Sequence, residues 1–153
     1  MGTVGRKDGD SIVKKRMNDL SFFDTNILIY TDDHDAPEKQ TRALDLIEQA
    51  RSTNTGFVST QVLQEYFVAA TRKLGVPVTI ARRKVELFSH LNLVQVGVEN
   101  ILSAIDLHRL YGFSFWDALI VDCALGGGCN VLITEDLQHG QRVNGLEIRN
   151  PFR

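Results

Sequence analysis

A short apolar run, Ser21-Phe22-Phe23, stops on the carboxylate of Asp24, and the stretch from Thr25 to Tyr30 that follows already has a helical pattern. So short a run, ended by an acid and followed at once by a helix, reads as a buried strand of an open α/β sheet. In such sheets the carboxyl ends of the strands and the neighbouring helix starts form the crevice where ligands bind, which puts Asp24 on that rim. The rest of the chain repeats the motif. Helical stretches from Pro37 to about 51, 61–74, 77–90, 101–111 and 115–125 alternate with strands near 56–59, 93–96, 130–134 and 146–148. That alternation predicts an α/β fold with one parallel, five-stranded sheet and helices on both faces.

The 153 residues are 43% hydrophobic, enough for one core-forming domain, placed here at 20–153 behind a Gly-rich polar tail at 1–19. Ala43, Leu44, Ile47 and Ala50 form the expected apolar stripe of one helix, and Ile101, Leu102, Ile105 and Leu110 that of another. Gly112 ends the second. Gly126-Gly127-Gly128 follows a helix and precedes a strand, the reverse of a phosphate-cradling loop, and reads as a helix stop. Cys123 and Cys129 match no zinc spacing and read as small buried hydrophobes in a reducing, cytoplasmic setting. No apolar run is long enough to span a membrane. The polar run from Thr31 to Asp35 reads as a solvated turn, and Arg82-Arg83-Lys84 as a solvated basic face.

Three further acids share Asp24's placement. Glu65 lies in a helix among Val62, Leu63, Tyr66, Phe67, Ala69 and Ala70 and is expected to point inward, where an unpaired carboxylate protonates or binds a cation. Asp117 opens the helix after Ser114, and Asp136 follows the strand at 130–134. Each also has a structural explanation. Asp24 suits a helix cap, Ser114-x-x-Asp117 a capping box, Asp136 a turn, and Glu65 a pair with Arg72. Together on one rim they suit a divalent-metal site, and oxygen-only donors select hard ions such as Mg²⁺ or Mn²⁺. The formal charge of −2 does not oppose a polyanionic substrate, since setting these four acids aside leaves 15 acidic against 17 basic residues. The four histidines share no pairing spacing and read as structural, although His139 follows Asp136 by three residues.

The stretches Phe23-Asp24-Thr25-Asn26-Ile27-Leu28-Ile29-Tyr30, Ser59-Thr60-Gln61-Val62-Leu63-Gln64-Glu65, Phe115-Trp116-Asp117-Ala118-Leu119-Ile120 and Leu132-Ile133-Thr134-Glu135-Asp136-Leu137 resemble, in the same order, those of the PIN-domain nucleases, above all the VapC toxins of toxin-antitoxin pairs. The resemblance spans about residues 21–150. It implies Asp24, Glu65, Asp117 and Asp136 as the catalytic, metal-binding quartet, with Asn26 and Thr134 in support. It also implies Mg²⁺ or Mn²⁺ as cofactor, RNA as substrate, a small VapB-like antitoxin and a homodimer as assemblies, and apolar faces of the helices at 37–51 and 61–90 as contact surfaces. Asp122 departs from the family pattern and, five residues along the helix, points away from Asp117. Two other readings stay open at this level: a PIN-like RNA-binding or scaffold module without catalysis, and an aspartyl phosphatase, against which stands the lack of a second aspartate two residues after Asp24.

Overall fold

A computed structural model describes residues 19–153; the tail expected at 1–19 lies, but for Asp19, outside the described residues. Strands β1 (Ser21–Phe23), β2 (Gly56–Ser59), β3 (Asn92–Val94), β4 (Val131–Ile133), β5 (Arg142–Val143) and β6 (Leu146–Arg149) form one sheet in the order β3-β2-β1-β4-β6-β5. Helices are α1 (Thr25–Tyr30), α2 (Pro37–Ser52), α3 (Thr60–Lys73), α4 (Val78–Phe88), α5 (Val98–Tyr111) and α6 (Phe115–Gly126). Among the described residues no helix is long and apolar enough to cross a membrane.

The α/β class is as expected, and the strand count is corrected. Four ladders are parallel, but β5 pairs antiparallel with β6 through Arg142↔Glu147 and Val143↔Leu146, so the sheet has six strands and is mixed. A two-residue strand leaves too short an alternation to stand out in a sequence. It closes as a tight hairpin over Asn144 and Gly145, both with positive φ (49° and 87°).

β1 lies between β2 and β4, parallel to both, and its adjacent phenylalanines are each almost fully buried. Successive side chains of a strand point to opposite faces, so burial of both requires helices on both faces. Gly56 shows how closely one layer packs: a Cβ there would come within 2.9 Å of the Ala50 Cβ of α2 and 3.1 Å of the Phe23 ring. On the other face Phe57 packs beside Gly127, just past α6.

Two expected stripes are corrected. Leu44 of α2 is 47% exposed, while Ala43, Ile47 and Ala50 are buried as expected. On α5 the residues Ile101, Leu102, Ile105 and Leu110 face outward, and Ala104 and Leu107 are the buried ones. The inward side of α5 is set by Asn100, which donates to Asp122 Oδ2 of α6 at 3.0 Å, and by the small Ala104, which lets the two helices approach. Gly112 ends α5 in the left-handed conformation at φ 76°.

The polar run after α1 is no free turn. Asp32 accepts from Tyr66 Oη at 2.5 Å and from Lys84 Nζ at 2.8 Å, and Lys84 also donates to Thr31 Oγ1 at 2.7 Å. Lys84 therefore leaves the expected basic surface to bind α4 to the end of α1. Both cysteines are buried, and burial pushes their thiols up to about 12. Asn150 N donates to His139 Nδ1 at 3.0 Å, which gives that histidine a structural partner.

Candidate active site

β1 and β4 are neighbours in the sheet although 110 residues separate Ser21 from its partner Val131. The chain runs from β1 outward to β2 and β3, then returns to β4 on the other side, so the order of strands reverses between β1 and β4. At such a switch point the loops leave a crevice above the strand ends. Asp24 follows β1, and Thr134, Glu135 and Asp136 follow β4.

Asp24 is the buried member of the group, 6% exposed. Its Oδ1 accepts from Thr25 N at 2.7 Å, which caps α1, and its Oδ2 accepts from the Thr134 hydroxyl at 2.8 Å. Asn26 ties the two strand ends together: its Nδ2 reaches Asp136 Oδ2 at 2.9 Å, Thr134 Oγ1 at 3.3 Å and Asp24 Oδ2 at 3.5 Å, while its Oδ1 accepts from Glu135 N at 3.3 Å. Asp136 N donates to Thr134 Oγ1 at 3.1 Å. The expected supporting residues thus touch two of the four expected acids.

Glu65 and Asp117 come from α3 and α6. Ser114 Oγ accepts from Asp117 N at 3.1 Å, so this acid stands in the capped first turn of α6 as its spacing suggested. Glu65 does not lie in the interior. It is an exposed residue of the rim, and its carboxylate is held by Gln61, one turn earlier on α3, whose Nε2 donates at 2.7 Å. The same amide group lies 3.4 Å from the carbonyl oxygen of Trp116, the residue before Asp117. Gln61 is buried and its Oε1 has no partner. It was not singled out in the sequence; its place four residues before Glu65, on one helix face, is the signal that could have pointed to it.

The electrostatics bring the four acids into one field. Burial raises Asp24 to about 6; bonds from Thr134 and Thr25 oppose the rise, and the nearby charges of Asp136 and Asp117 add to it. Partial desolvation of its carboxyl group on the rim also raises Glu65, with Gln61 opposing and Asp117 adding. Asp122 is raised by burial and bonded to Asn100, away from this group. Glu135 differs from its neighbours. Lys39 Nζ donates to its Oε2 and Tyr30 Oη to its Oε1, each at 2.5 Å, and against the effect of burial these bonds hold it below the usual carboxylate range. Lys39 also lies over the rings of Tyr30 and Phe152, at 5.0 and 5.3 Å. This clamp, which no local pattern announces, fixes the residue next to Asp136.

The donors are all oxygen, from carboxylates, a hydroxyl and an amide, and they include a carboxylate that burial and its neighbours disfavour as a lone anion. This set fits a hard divalent cation. Among the described residues no group of three or more His, Cys, Asp or Glu side chains is placed to hold a metal ion by itself. The fit is instead to an ion such as Mg²⁺, which keeps several waters and takes one or two carboxylates together with substrate phosphate oxygens.

The solved structures similar in fold include the following three. A toxin-antitoxin complex from Klebsiella pneumoniae matches with TM-score 0.63 and 21% identity over 86% of this chain and 97% of that one. VapBC2 from Rickettsia felis, bound to a DNA fragment from its promoter, matches with TM-score 0.60 and 18% identity over 86% and 98%. The Mycobacterium tuberculosis toxin VapC20, which cleaves the sarcin-ricin loop, matches with TM-score 0.58 and 18% identity over 73% and 86%. Comparison with curated proteins gives no significant match. The PIN domain family model matches residues 21–143, which is most of the chain and includes the strand ends and helix starts that carry Asp24, Glu65, Asp117 and Asp136; the chain belongs to the PIN domain family.

Proposed function

We propose that the protein is a metal-dependent endoribonuclease and the toxin of a VapBC-type toxin-antitoxin pair. The observation that carries this reading is the setting of Asp24: a carboxylate 6% exposed, held by hydrogen bonds and facing the charges of Asp117 and Asp136, on the rim of a PIN domain. An ionised acid so placed is stabilised by a bound cation. Asp24, Glu65, Asp117 and Asp136 would hold Mg²⁺ or Mn²⁺, with Asn26 and Thr134 keeping Asp24 and Asp136 in register. When bound, a divalent cation supplies activation of the attacking water and neutralisation of charge at the scissile phosphate. The chain's own contribution is orientation: Thr134 and Asn26 fix the Asp24 and Asp136 oxygens, Gln61 fixes Glu65, and the capped first turn of α6 fixes Asp117. The N-terminus of α6 also favours an approaching phosphate.

Partners follow from the same reading and from two fold relatives, a toxin-antitoxin complex and VapBC2. An apolar groove of about 510 Å³ between α3 and α4, lined by Leu63, Phe67, Val68, Val78 and Val85, suits an amphipathic antitoxin segment. The outward side of α5, with Val98 71%, Leu102 58% and Leu110 76% exposed, suits a second copy of the chain.

The test is cleavage of a labelled single-stranded RNA panel with Mn²⁺. Asp24→Asn and Asp117→Asn are expected to fold and to lose cleavage by orders of magnitude. Folded variants that cut as fast as the parent would show the acids to be structural.

A further inference from the structure

Trp116 is the chain's single tryptophan, and it is 64% exposed immediately beside Asp117. An indole this open on a polar rim offers a large aromatic face to a partner. Its surroundings make it a fixed one. Trp116 stands in the first turn of α6, whose start is capped by Ser114. Its carbonyl oxygen lies 3.4 Å from the buried Gln61 amide that also holds Glu65. Its ring is braced edge-on by Phe115, with centroids 5.1 Å apart at 76°. The brace uses an edge of the pair and leaves most of the indole surface to solvent.

We propose that the Trp116 indole is a stacking platform for an unpaired base of the RNA strand whose phosphate lies at the acids. This rests on the nuclease reading above. Three features favour an RNA base over another occupant. An aromatic face accepts any base without a hydrogen-bond code, and the indole presents such a face 64% exposed. Apart from that of Asp117, which the Ser114 cap takes up, the N–H groups that open α6 beside it lack intrahelical partners and favour a phosphate rather than an apolar protein segment. The indole also adjoins Asp117 along the chain, so that a stacked base and a phosphate at the acids belong to one short stretch of strand. A duplex keeps its bases stacked on one another, so the platform selects single-stranded or splayed RNA.

The experiment uses the indole as its own probe. The full chain in chelator is titrated with single-stranded RNA from the cleavage panel while its tryptophan emission is followed, and the affinities of Trp116→Ala and Trp116→Phe are measured with the same labelled RNA. Stacking predicts quenching of the parent's emission, a loss of affinity of about 10-fold in Trp116→Ala, and recovery in Trp116→Phe. In cleavage with Mn²⁺ the alanine variant raises KM and leaves kcat within a few-fold. Because the side chain is mostly exposed, melts of both variants are expected to match the parent. RNA binding with unchanged affinity in Trp116→Ala, or without quenching in the parent, overturns the platform and leaves the nuclease reading standing. A loss of dimer in Trp116→Ala with RNA affinity intact assigns the indole to a protein contact and also overturns it. A parent that binds and cuts none of the RNAs overturns both.

Discussion

Asp24→Asn separates a structural acid from one kept for its charge. In the parent, burial, Asp136 and Asp117 raise Asp24 from near 3.8 to about 6. Between about pH 4 and 6 the folded chain holds a proton that the unfolded chain has released, so stability falls as pH rises through that window and the penalty is complete above it. Two pH units correspond to about 3 kcal/mol. An asparagine carries no charge and escapes this cost. Its Oδ1 still accepts from Thr25 N, but an amide NH₂ facing Thr134 takes away the acceptor of that hydroxyl's proton, a loss of about 1 kcal/mol. In chelator at pH 7.5 the variant is therefore expected to be about 2 kcal/mol more stable than the parent, or about 4–8 °C higher in Tm. At pH 4, with the parent's Asp24 protonated, the gain disappears. Denaturant and thermal unfolding at the two pH values measure both quantities. A variant destabilised by the same amount at each pH would refute the argument, because Asp24 would then be contributing hydrogen bonds and no charge strain.

Three further outcomes are expected. Mg²⁺ or Mn²⁺ raises the parent's Tm at pH 7.5, chelator reverses it, and the effect fades below about pH 6 as protons compete for Asp24; a Tm indifferent to metal at every pH counts against the site. Gln61→Leu leaves stability within about 1 kcal/mol, since it removes an unpaired buried oxygen along with two contacts, but lowers kcat about 10-fold by releasing Glu65; unchanged kcat in single-turnover cleavage would remove its positioning role. Lys84→Met leaves Asp32 with only Tyr66 and costs about 2 kcal/mol in chemical denaturation, reduced from the value for a buried pair because both partners keep some solvent contact.

How much of this could be read from residues alone differs by kind of feature. Asp24 was legible because a strand that ends on an acid and turns into a helix leaves a local signature, and Ser114 to Asp117 carries its cap in its spacing. Asn26 and Thr134 came by resemblance, and their bonds across β1 and β4 give it a physical reason. The depth of Glu65 was misjudged: apolar neighbours along α3 suggested the interior, whereas Gln64 and Glu65 lie on the side of the helix that reaches the surface. On α5 the larger residues drew the reading to the wrong side, because the buried side is chosen by small Ala104 and polar Asn100 fitting α6. The pairs Asp32 with Lys84 and Lys39 with Glu135 join residues 52 and 96 positions apart, and no local pattern encodes such distances.

The pairing of β1 with β4 also sets a schedule. Asp24 and Glu65 leave the ribosome early, but Asp24 gains its Thr134 and Asn26–Asp136 links only after the strand partner 110 residues downstream has been made. At about 5–20 residues per second that interval is roughly 5–20 s. During it the nascent chain holds Asp24, then Glu65 and then Asp117 without the β4 end that brings them together with Asp136, and a chain interrupted before β4 never assembles the group. The order of strands thus works as a timer: whatever these acids do, they begin to do it only once β4 has followed β1 off the ribosome, and a binding partner has that interval in which to reach the growing chain.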